Sequence, residues 1–354
     1  MATLSFLGDI SLNNKYNDLY LKSEKPFDKI KEFLNKSDLI IGNLECMSKG
    51  EKGENLLKKP RLKTNTETLN YLKELNIGLV SLAHNHIYDN LIDGYNKTIQ
   101  FLCKNNIMHL GSGLSEENAC APILKEINGI KFCFLNYVTK DTNPNLPTNA
   151  EIYLNWFDET KVIKDIKRYK NQVDYVILLL HWGGKLEGGY YPDFNQPRIA
   201  HNLIDAGVDL IVGGHSHTLQ PYEIYKGKYI FYSLGNFCFS NIHSDGRIKE
   251  IDQEKGTESI ILKVVFSKNS YKVNMIPIRN RNLYLEFNKA VLERYKRRIF
   301  YFKIINKIKI LWGIYYLKFR YIDPTVFYFW GNNRKFFARL KLLNFGKIKH
   351  FLRG

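Results

Sequence analysis

The amino-acid sequence predicts an α/β fold built on a parallel or mixed sheet. Residues 175–181 and 208–214 are apolar runs that predict two strands, and residues 195–207 predict a helix that ends at glycine. A strand, a helix and a second strand form the unit of such a sheet. Histidine ends or follows each apolar run, and ligands bind at the carboxyl edge of open α/β sheets.

The remaining elements follow from periodicity and turn residues. Apolar runs predict strands over residues 3–9, 38–44, 77–83, 107–111 and 228–237, and alternating patterns predict hairpins over residues 121–138 and 258–278. The first hairpin turns at Asn128-Gly129, a pair that favours a type I′ turn. Amphipathic stretches predict helices over residues 26–35, 66–75, 93–105 and 158–171.

The basic charge of the chain is concentrated near its C-terminal end. Residues 279–354 hold 19 of the 52 Lys and Arg residues with three acidic residues, whereas residues 1–278 hold 33 basic and 32 acidic residues. Hydrophobic residues make up 44% of the sequence, enough for a sizeable core. We therefore predict a near-neutral domain over residues 1–278 and a basic, aromatic-rich helical extension over residues 279–354.

Three features predict a cytoplasmic location. The five cysteines form no CxxC pair, which is typical of unpaired thiols in a reducing compartment. The first residues lack the basic and long apolar regions of a signal peptide. No window of about 18 uninterrupted apolar residues predicts a transmembrane helix.

Polar side chains collect at the predicted strand ends. They are Asp9, Asn43, Glu45, Asn85, His86, His181, His215 and His217. Imidazole and carboxylate groups together suit divalent metals such as Zn, Mn, Fe and Ni. In an extended segment, His215 and His217 would face the same side, because side chains alternate along a strand. Each residue alone is also typical of a turn, a cap or a packed core, and their joint position favours a metal site.

Six motifs resemble the bacterial capsule-synthesis family called CapA. They are Gly8-Asp9, Asn43-Leu44-Glu45, Ala83-His84-Asn85-His86 with Asp89, His181-Trp182-Gly183, Gly214-His215-Ser216-His217 and Tyr232-Ser233-Leu234-Gly235-Asn236-Phe237. They occur in the family's order over residues 3–240. That family is associated with poly-γ-glutamate capsule production and is similar to the calcineurin-like metallophosphoesterases. The resemblance implies a two-layer β-sandwich flanked by helices, an αββα fold, with metals at one edge of the sheets.

The resemblance also implies roles for the strand-end residues. Six of them would hold two divalent metal ions, or one, and the metal would be Mn, Fe or Zn. These six residues are Asp9, Glu45, Asn85, His181, His215 and His217. Glu45 takes the place of a bridging carboxylate. Asn85 and His86 would be catalytic, and His86 would protonate the leaving group or stabilise a developing anion. Paired cations lower the pKa of a shared water, and a nearby imidazole can protonate a departing oxygen.

The extension over residues 279–354 combines apolar, aromatic and cationic residues. Ile299, Phe302, Ile305 and Ile308 fall on one stripe of a predicted helix. Such a helix is typical of a segment that lies on an anionic membrane surface, where each cation contributes about 1 kcal/mol. Packing of the extension on the first domain is the alternative. Nucleic acid is disfavoured as a partner because no nucleic-acid module is visible.

We therefore expect a CapA-like, metal-dependent hydrolase of the phosphoesterase type, placed at the inner membrane face. It would act on an anionic polymer or a phosphate ester during production of poly-γ-glutamate or polysaccharide for a capsule. One rival is a non-catalytic assembly subunit that binds other subunits of a membrane capsule synthase. Ser11 favours this rival, because metallophosphoesterases usually carry histidine at that place. A second rival is an amide hydrolase that acts on an acidic polymer.

Overall fold

Two mixed β-sheets dominate the computed structural model, which describes residues 1–251 and 254–323. The strands of the first sheet lie in the order Tyr284–Phe287, Tyr271–Arg281, Glu258–Phe266, Ala2–Ile10, Leu39–Leu44, Ile77–Ser81 and Met108–Leu110. The last four are parallel to one another, and the first three extend the sheet as antiparallel neighbours. Asn236–Cys238 also pairs in parallel with Ala2–Ile10.

The second sheet has parallel central strands and an antiparallel strand at each edge. Its order is Tyr222–Tyr225, Lys228–Phe231, Leu210–Gly214, Tyr175–His181, Ile130–Val138 and Ile123–Ile127. Two short pairs lie outside both sheets: Ser112–Gly113 with Tyr153–Leu154, and Ile242–Ser244 with Arg247–Lys249. The predicted hairpin turn is confirmed, because Asn128 and Gly129 have φ values of 51° and 75° and join antiparallel strands.

Helices connect the strands. The α-helices are Lys15–Leu21, Asp28–Leu34, Asn70–Glu74, Leu91–Lys104, Glu116–Cys120, Glu159–Lys170, Gln196–Ala206, Lys289–Lys307 and Lys309–Leu317. Short 3₁₀ segments occupy Thr66–Leu69, Lys140–Thr142 and Gly184–Leu186, and a π-helical turn occupies Lys318–Ile322. No helix among the described residues is both long enough and apolar enough to span a bilayer.

The two sheets face each other across one apolar core. Leu4 and Phe6 of the first sheet share this core with Ile177 and Leu179 of the second. Because side chains alternate along a strand, the neighbouring Leu178 is buried on the opposite face of its sheet. Apolar residues on both faces of each sheet therefore require a covering layer on the outside as well.

Helices supply that covering layer on each side. Ile30 and Leu102, from two helices, join Leu7 and Ile40 in the core on the outer face of the first sheet. The helix Glu159–Lys170 packs against the second sheet and against Gln196–Ala206. The order helix, sheet, sheet, helix confirms the predicted αββα layering.

The strand Tyr271–Arg281 runs across the predicted domain boundary at residues 278 and 279. Its alternating pattern continues for three more residues, and Tyr284–Phe287 then pairs with it at the edge of the sheet. The first compact unit extends to Phe302, and the described residues 303–323 belong to a second unit. The predicted boundary follows the change in charge along the sequence. In the structure, strand pairing continues beyond residue 278, so the first unit ends later in the chain.

The helix Lys289–Lys307 begins within the first unit. Val291 and Tyr295 are fully buried in the core between the sheets, and the Phe302 ring centroid is 5.5 Å from that of Tyr232. Residues 289–302 of the predicted extension are therefore packed on the rest of the first unit, as in the alternative to a membrane contact. Residues 324–354 of the predicted extension lie outside the described residues.

A buried ion pair fastens this helix to the first sheet. Glu258 is fully buried, accepts a bond from Arg298 Nη2 at 2.6 Å and is also bonded to Arg294. Arg298 Nη1 donates to the Leu219 backbone oxygen at 3.2 Å. Removing one partner of a buried pair destabilises strongly, because the remaining charge is left unbalanced.

We expect Glu258→Gln to lower the free energy of unfolding by about 3 kcal/mol, because two arginines lose their counter-charge. Chemical denaturation of the full chain measures this difference. Glu293→Gln is the matched control, since Glu293 on the same helix is 67% exposed and its pair with Lys296 contributes little. Equal effects of the two substitutions would contradict the assigned role of Glu258.

Candidate metal centre

Residues from both sheets meet at one edge and include every predicted ligand. Three lie on or shortly after parallel strands of the first sheet: Asp9, Glu45 and Asn85. Three lie at the ends of neighbouring strands of the second sheet: His181, His215 and His217. All are buried except His217, which is half-buried. The carboxyl ends of the parallel strands thus form one polar cluster between the layers.

Glu45, His181 and His215 form the first group of candidate ligands. One donor atom from each lies within 4.8 Å of the others. His181 Nε2 is 3.1 Å from His215 Nδ1, 3.6 Å from Glu45 Oε1 and 2.9 Å from Asn85 Oδ1. Four atoms of the kinds that ligate divalent cations therefore converge at one point.

Asp9, Glu45 and His217 form the second group, also with donor atoms within 4.8 Å of one another. His217 Nδ1 is 3.5 Å from Asp9 Oδ2, and His217 Nε2 is 3.7 Å from Glu45 Oε1. Asn43 Nδ2 donates to Asp9 Oδ1 at 2.8 Å, and the His215 backbone N–H donates to Asp9 Oδ2 at 3.1 Å. Glu45 is the residue that both groups share.

Unsatisfied polar atoms of Glu45 and His215 fit a bound cation. Glu45 is fully buried, and neither carboxylate oxygen has a hydrogen-bond partner among the described residues. The same holds for the buried Nε2 of His215. Buried polar atoms are expensive in free energy unless they are hydrogen-bonded, paired or coordinated to a metal. The mixture of imidazole and carboxylate suits Zn, Mn or Fe.

Burial sets the protonation of the candidate ligands. It lowers the pKa of His181 well below its ordinary value and the pKa of His215 to about 3, so both imidazoles are neutral at pH 7. Burial raises the pKa of Asp9 and, together with the nearby Asp9 charge, the pKa of Glu45. A cation would displace those carboxyl protons, because carboxylate ligands bind metals in the ionised form.

His86 lies outside both groups and is paired with Asp89. His86 Nδ1 is 2.6 Å from Asp89 Oδ2, and both side chains are buried. Burial lowers the pKa of His86 and raises the pKa of Asp89, so the two buried groups share a proton across the Nδ1–Oδ2 contact, and Nε2 is an acceptor when that proton is on Nδ1. A proton taken up at Nε2 would give an imidazolium that Asp89 stabilises.

The segment that carries His215 and His217 is a turn, which corrects the extended conformation expected from the sequence. The strand Leu210–Gly214 ends before it, and φ is 89° at His215 and 57° at His217. This left-handed region is unfavourable for residues with a side chain, and such strain clusters at functional sites. The turn, rather than strand alternation, directs both imidazoles toward Glu45.

Three further residues support the site: Asn43, which belongs to the strand-end set, and Asp89 and Asn236, for which the strand-end pattern predicts no role. Asn43 holds Asp9, Asp89 holds His86, and Asn236 Oδ1 is 3.0 Å from His217 Nδ1. Each belongs to one of the six motifs quoted above. Their signal is thus present in the sequence, but only spatial contact reveals what each one holds.

The layered fold and the buried His, Glu and Asp cluster define an α/β sandwich protein with a candidate metal centre. The chain belongs to the bacterial capsule synthesis protein PGA_cap family, whose model matches residues 3–241. The CapA resemblance inferred from the six motifs is thereby confirmed. The match ends before the helix Lys289–Lys307.

Two curated relatives are named for capsule or PGA biosynthesis. The PGA biosynthesis protein CapA of Bacillus subtilis (strain 168) is 30% identical over 252 residues, 68% of this chain and 63% of that protein. The capsule biosynthesis protein CapA of Bacillus anthracis is 28% identical over 251 residues, 67% of this chain and 59% of that protein. The chain thus matches less than two thirds of the length of each relative.

Solved structures with a similar fold include two nucleotidases. The NAD nucleotidase of Haemophilus influenzae has a TM-score of 0.48 and 14% identity, over 83% of this chain and 62% of that chain. The 5′-nucleotidase precursor of Thermus thermophilus has a TM-score of 0.42 and 15% identity, over 84% of this chain and 59% of that chain.

We expect Gly214→Ala to weaken Mn²⁺ binding by about 10- to 100-fold, the loss typical of disturbing a ligand's support. A Cβ atom at Gly214 would lie 2.5 Å from Asp9 Oδ1, so Asp9 must move. Isothermal titration calorimetry measures the affinity. Gly313→Ala is the control, because a Cβ atom there meets nothing within 4 Å. Unchanged Mn²⁺ affinity in Gly214→Ala would show that Asp9 is not a ligand.

Proposed function

We propose that the chain is a metal-dependent hydrolase of the phosphoesterase type that acts in capsule polymer production. The observation that carries this proposal is the buried carboxylate of Glu45, shared by two ligand groups and without a hydrogen bond of its own. Membership of the capsule synthesis family supports the biological context. Divalent ions held by these groups would polarise a substrate oxygen and lower the pKa of a bound water.

The residues of the chain supply position and proton transfer. Asp9 and Glu45 would provide carboxylate ligands, and His181, His215 and His217 would provide imidazole ligands. Asn85 adds an amide oxygen to the first group. His86 would take up at Nε2 the proton that the attacking water loses and pass it to the leaving group, with the ring held by Asp89 at Nδ1.

The proposed substrate is an anionic polymer or a phosphate ester. Two observations support this choice: the names of the CapA relatives refer to PGA or capsule biosynthesis, and the donor set suits activation of water at an ester. Hydrolysis of an amide bond in an acidic polymer uses the same activated water with a different leaving group. Turnover of esters against amides separates these two reactions.

An assembly role within a capsule synthase is the second candidate, and Ser11 favours it. Ser11 is buried and its hydroxyl donates to Asn13 Oδ1 at 2.9 Å. It therefore serves a local hydrogen bond where metallophosphoesterases usually carry a histidine. Capsule output that survives His86→Ala, but not removal of the C-terminal extension, would favour assembly over catalysis.

We expect purified protein to bind a divalent metal and to hydrolyse phosphomonoesters or phosphodiesters with added Mn²⁺. Mn²⁺ at 100 times its Kd should raise the free energy of unfolding by about 2.7 kcal/mol. His215→Ala should lower turnover by about 100-fold, whereas His243→Ala, at an exposed histidine, should not.

Elemental analysis, denaturation and a panel of esters measure these outcomes. Absence of bound metal, together with no turnover of any ester in added Mn²⁺, would refute the hydrolase proposal.

We also propose that the second unit contacts an anionic membrane surface. Ile310, Ile314 and Leu317 are exposed on the helix Lys309–Leu317, with Lys309 and Lys318 at its ends. Apolar side chains beside cations are typical of segments that lie in the interface of anionic bilayers.

We expect the full chain to sediment with anionic vesicles, less so at high salt, because screening weakens the attraction of each cation. Ile310→Glu should weaken this binding by about 10-fold or more, since one buried apolar side chain contributes about 1.5–3 kcal/mol. Leu124→Glu, at an exposed apolar residue of the first unit, is the control. Equal binding to neutral vesicles, or none at all, would contradict a surface contact.

A further inference from the structure

Lys58 is a buried cation near the candidate metal centre. Only 4% of its surface is exposed, the same fraction as for Asn85 and His86. Its Nζ donates one hydrogen bond, to the backbone oxygen of Asn143 at 2.7 Å. Among the described residues, no carboxylate lies within ion-pair distance of this ammonium, which is unusual for a buried lysine.

The loop that carries Lys58 is tied to the segment that carries His86. The Leu62 backbone N–H donates to Asp89 Oδ2 at 2.6 Å, and the Asn55 backbone N–H donates to the Asp89 backbone oxygen at 2.9 Å. Asp89 in turn holds His86. Lys58 lies in the chain between these two anchors, on the loop that is bonded to the segment of His86 and Asp89.

A second loop, which contains Asn143, also contacts Lys58. Asn143, its acceptor, follows the strand that ends at Val138, and the Thr139 backbone N–H donates to the His181 backbone oxygen at 3.0 Å. Asn55 Nδ2 donates to the Asn145 backbone oxygen at 3.0 Å and joins the two loops. The ammonium thus connects its own loop, which is bonded to Asp89, with a second loop, which is bonded to the backbone oxygen of His181.

The charge of Lys58 acts on the candidate site through space. Burial lowers the pKa of Lys58, and the nearby carboxylates of Asp89, Glu187 and Glu45 oppose that change. Among the described residues, none of these three carboxylates is bonded to the ammonium. Two of its three N–H donors are therefore without a protein acceptor among the described residues.

We propose that Lys58 is a substrate-binding residue whose ammonium binds an oxyanion of the substrate, a phosphate or a carboxylate, beside the metal centre. This inference rests on the proposed function and specifies the charge that the substrate must carry. An oxyanion accepts the two remaining N–H bonds and balances a charge that is otherwise buried. The loop holds the lysine in place before the substrate arrives, so little side-chain order is lost on binding.

Binding of inorganic phosphate to the Mn²⁺-loaded full chain tests this proposal by calorimetry. Lys58→Met, which keeps the length and removes the charge, should weaken phosphate binding by about 10- to 100-fold. Lys58→Arg should retain most of it. Lys59→Met is the matched control, because the neighbouring side chain is 71% exposed and should leave phosphate binding unchanged. A short glutamate oligomer, titrated in parallel, distinguishes a carboxylate site from a phosphate site.

Two results would overturn the proposal. One is phosphate and oligomer binding by Lys58→Met equal to that of the natural sequence. The other is a loss of bound Mn²⁺ or of unfolding free energy in Lys58→Met that matches its loss of anion binding, which would make Lys58 a structural counter-ion for Asp89. Failure of the hydrolase proposal is a separate result, seen as absent turnover whether or not the charge at residue 58 affects anion binding.

Discussion

A single buried carboxylate, that of Glu45, constrains the rest of the site. A fully buried acid without a hydrogen bond is unfavourable in a protein interior unless a cation balances it. Imidazoles from the second sheet approach Glu45 Oε1, at 3.6 Å for His181 Nε2 and 3.7 Å for His217 Nε2. The facing of the two sheets is what makes this convergence possible, because neither sheet alone carries both kinds of ligand.

Strands and helices with a regular hydrophobic pattern are predictable from the sequence, and so are the residues that meet in the candidate site. The strand Tyr175–His181 has the predicted bounds, and the hairpin at Asn128 follows from local turn chemistry. Strand ends in a parallel sheet share an edge, so the residue types there could be assigned to one site. These signals depend on residues that are close in the sequence, so they can be recognised without knowledge of tertiary contacts.

Other features depend on contacts between distant parts of the chain. The left-handed turn at His215 is stabilised by its surroundings, since the backbone N–H of His215 bonds to Asp9, which lies far away in the sequence. The helix Lys289–Lys307 has a basic composition that indicates a solvated face, yet Arg298 is buried against Glu258. Lys58 lies in a loop rich in Lys, Glu and Gly, a composition that is typical of exposed loops. The burial of its side chain can be seen only in the folded structure.

Anomalous scattering from crystals grown with Mn²⁺, measured at the manganese edge, would locate cations bound by the candidate ligands. We expect two peaks, one contacted by Glu45, His181 and His215 and the other by Asp9, Glu45 and His217. Absence of a peak in contact with Glu45, or protein donors bonded to both of its oxygens, would contradict this expectation.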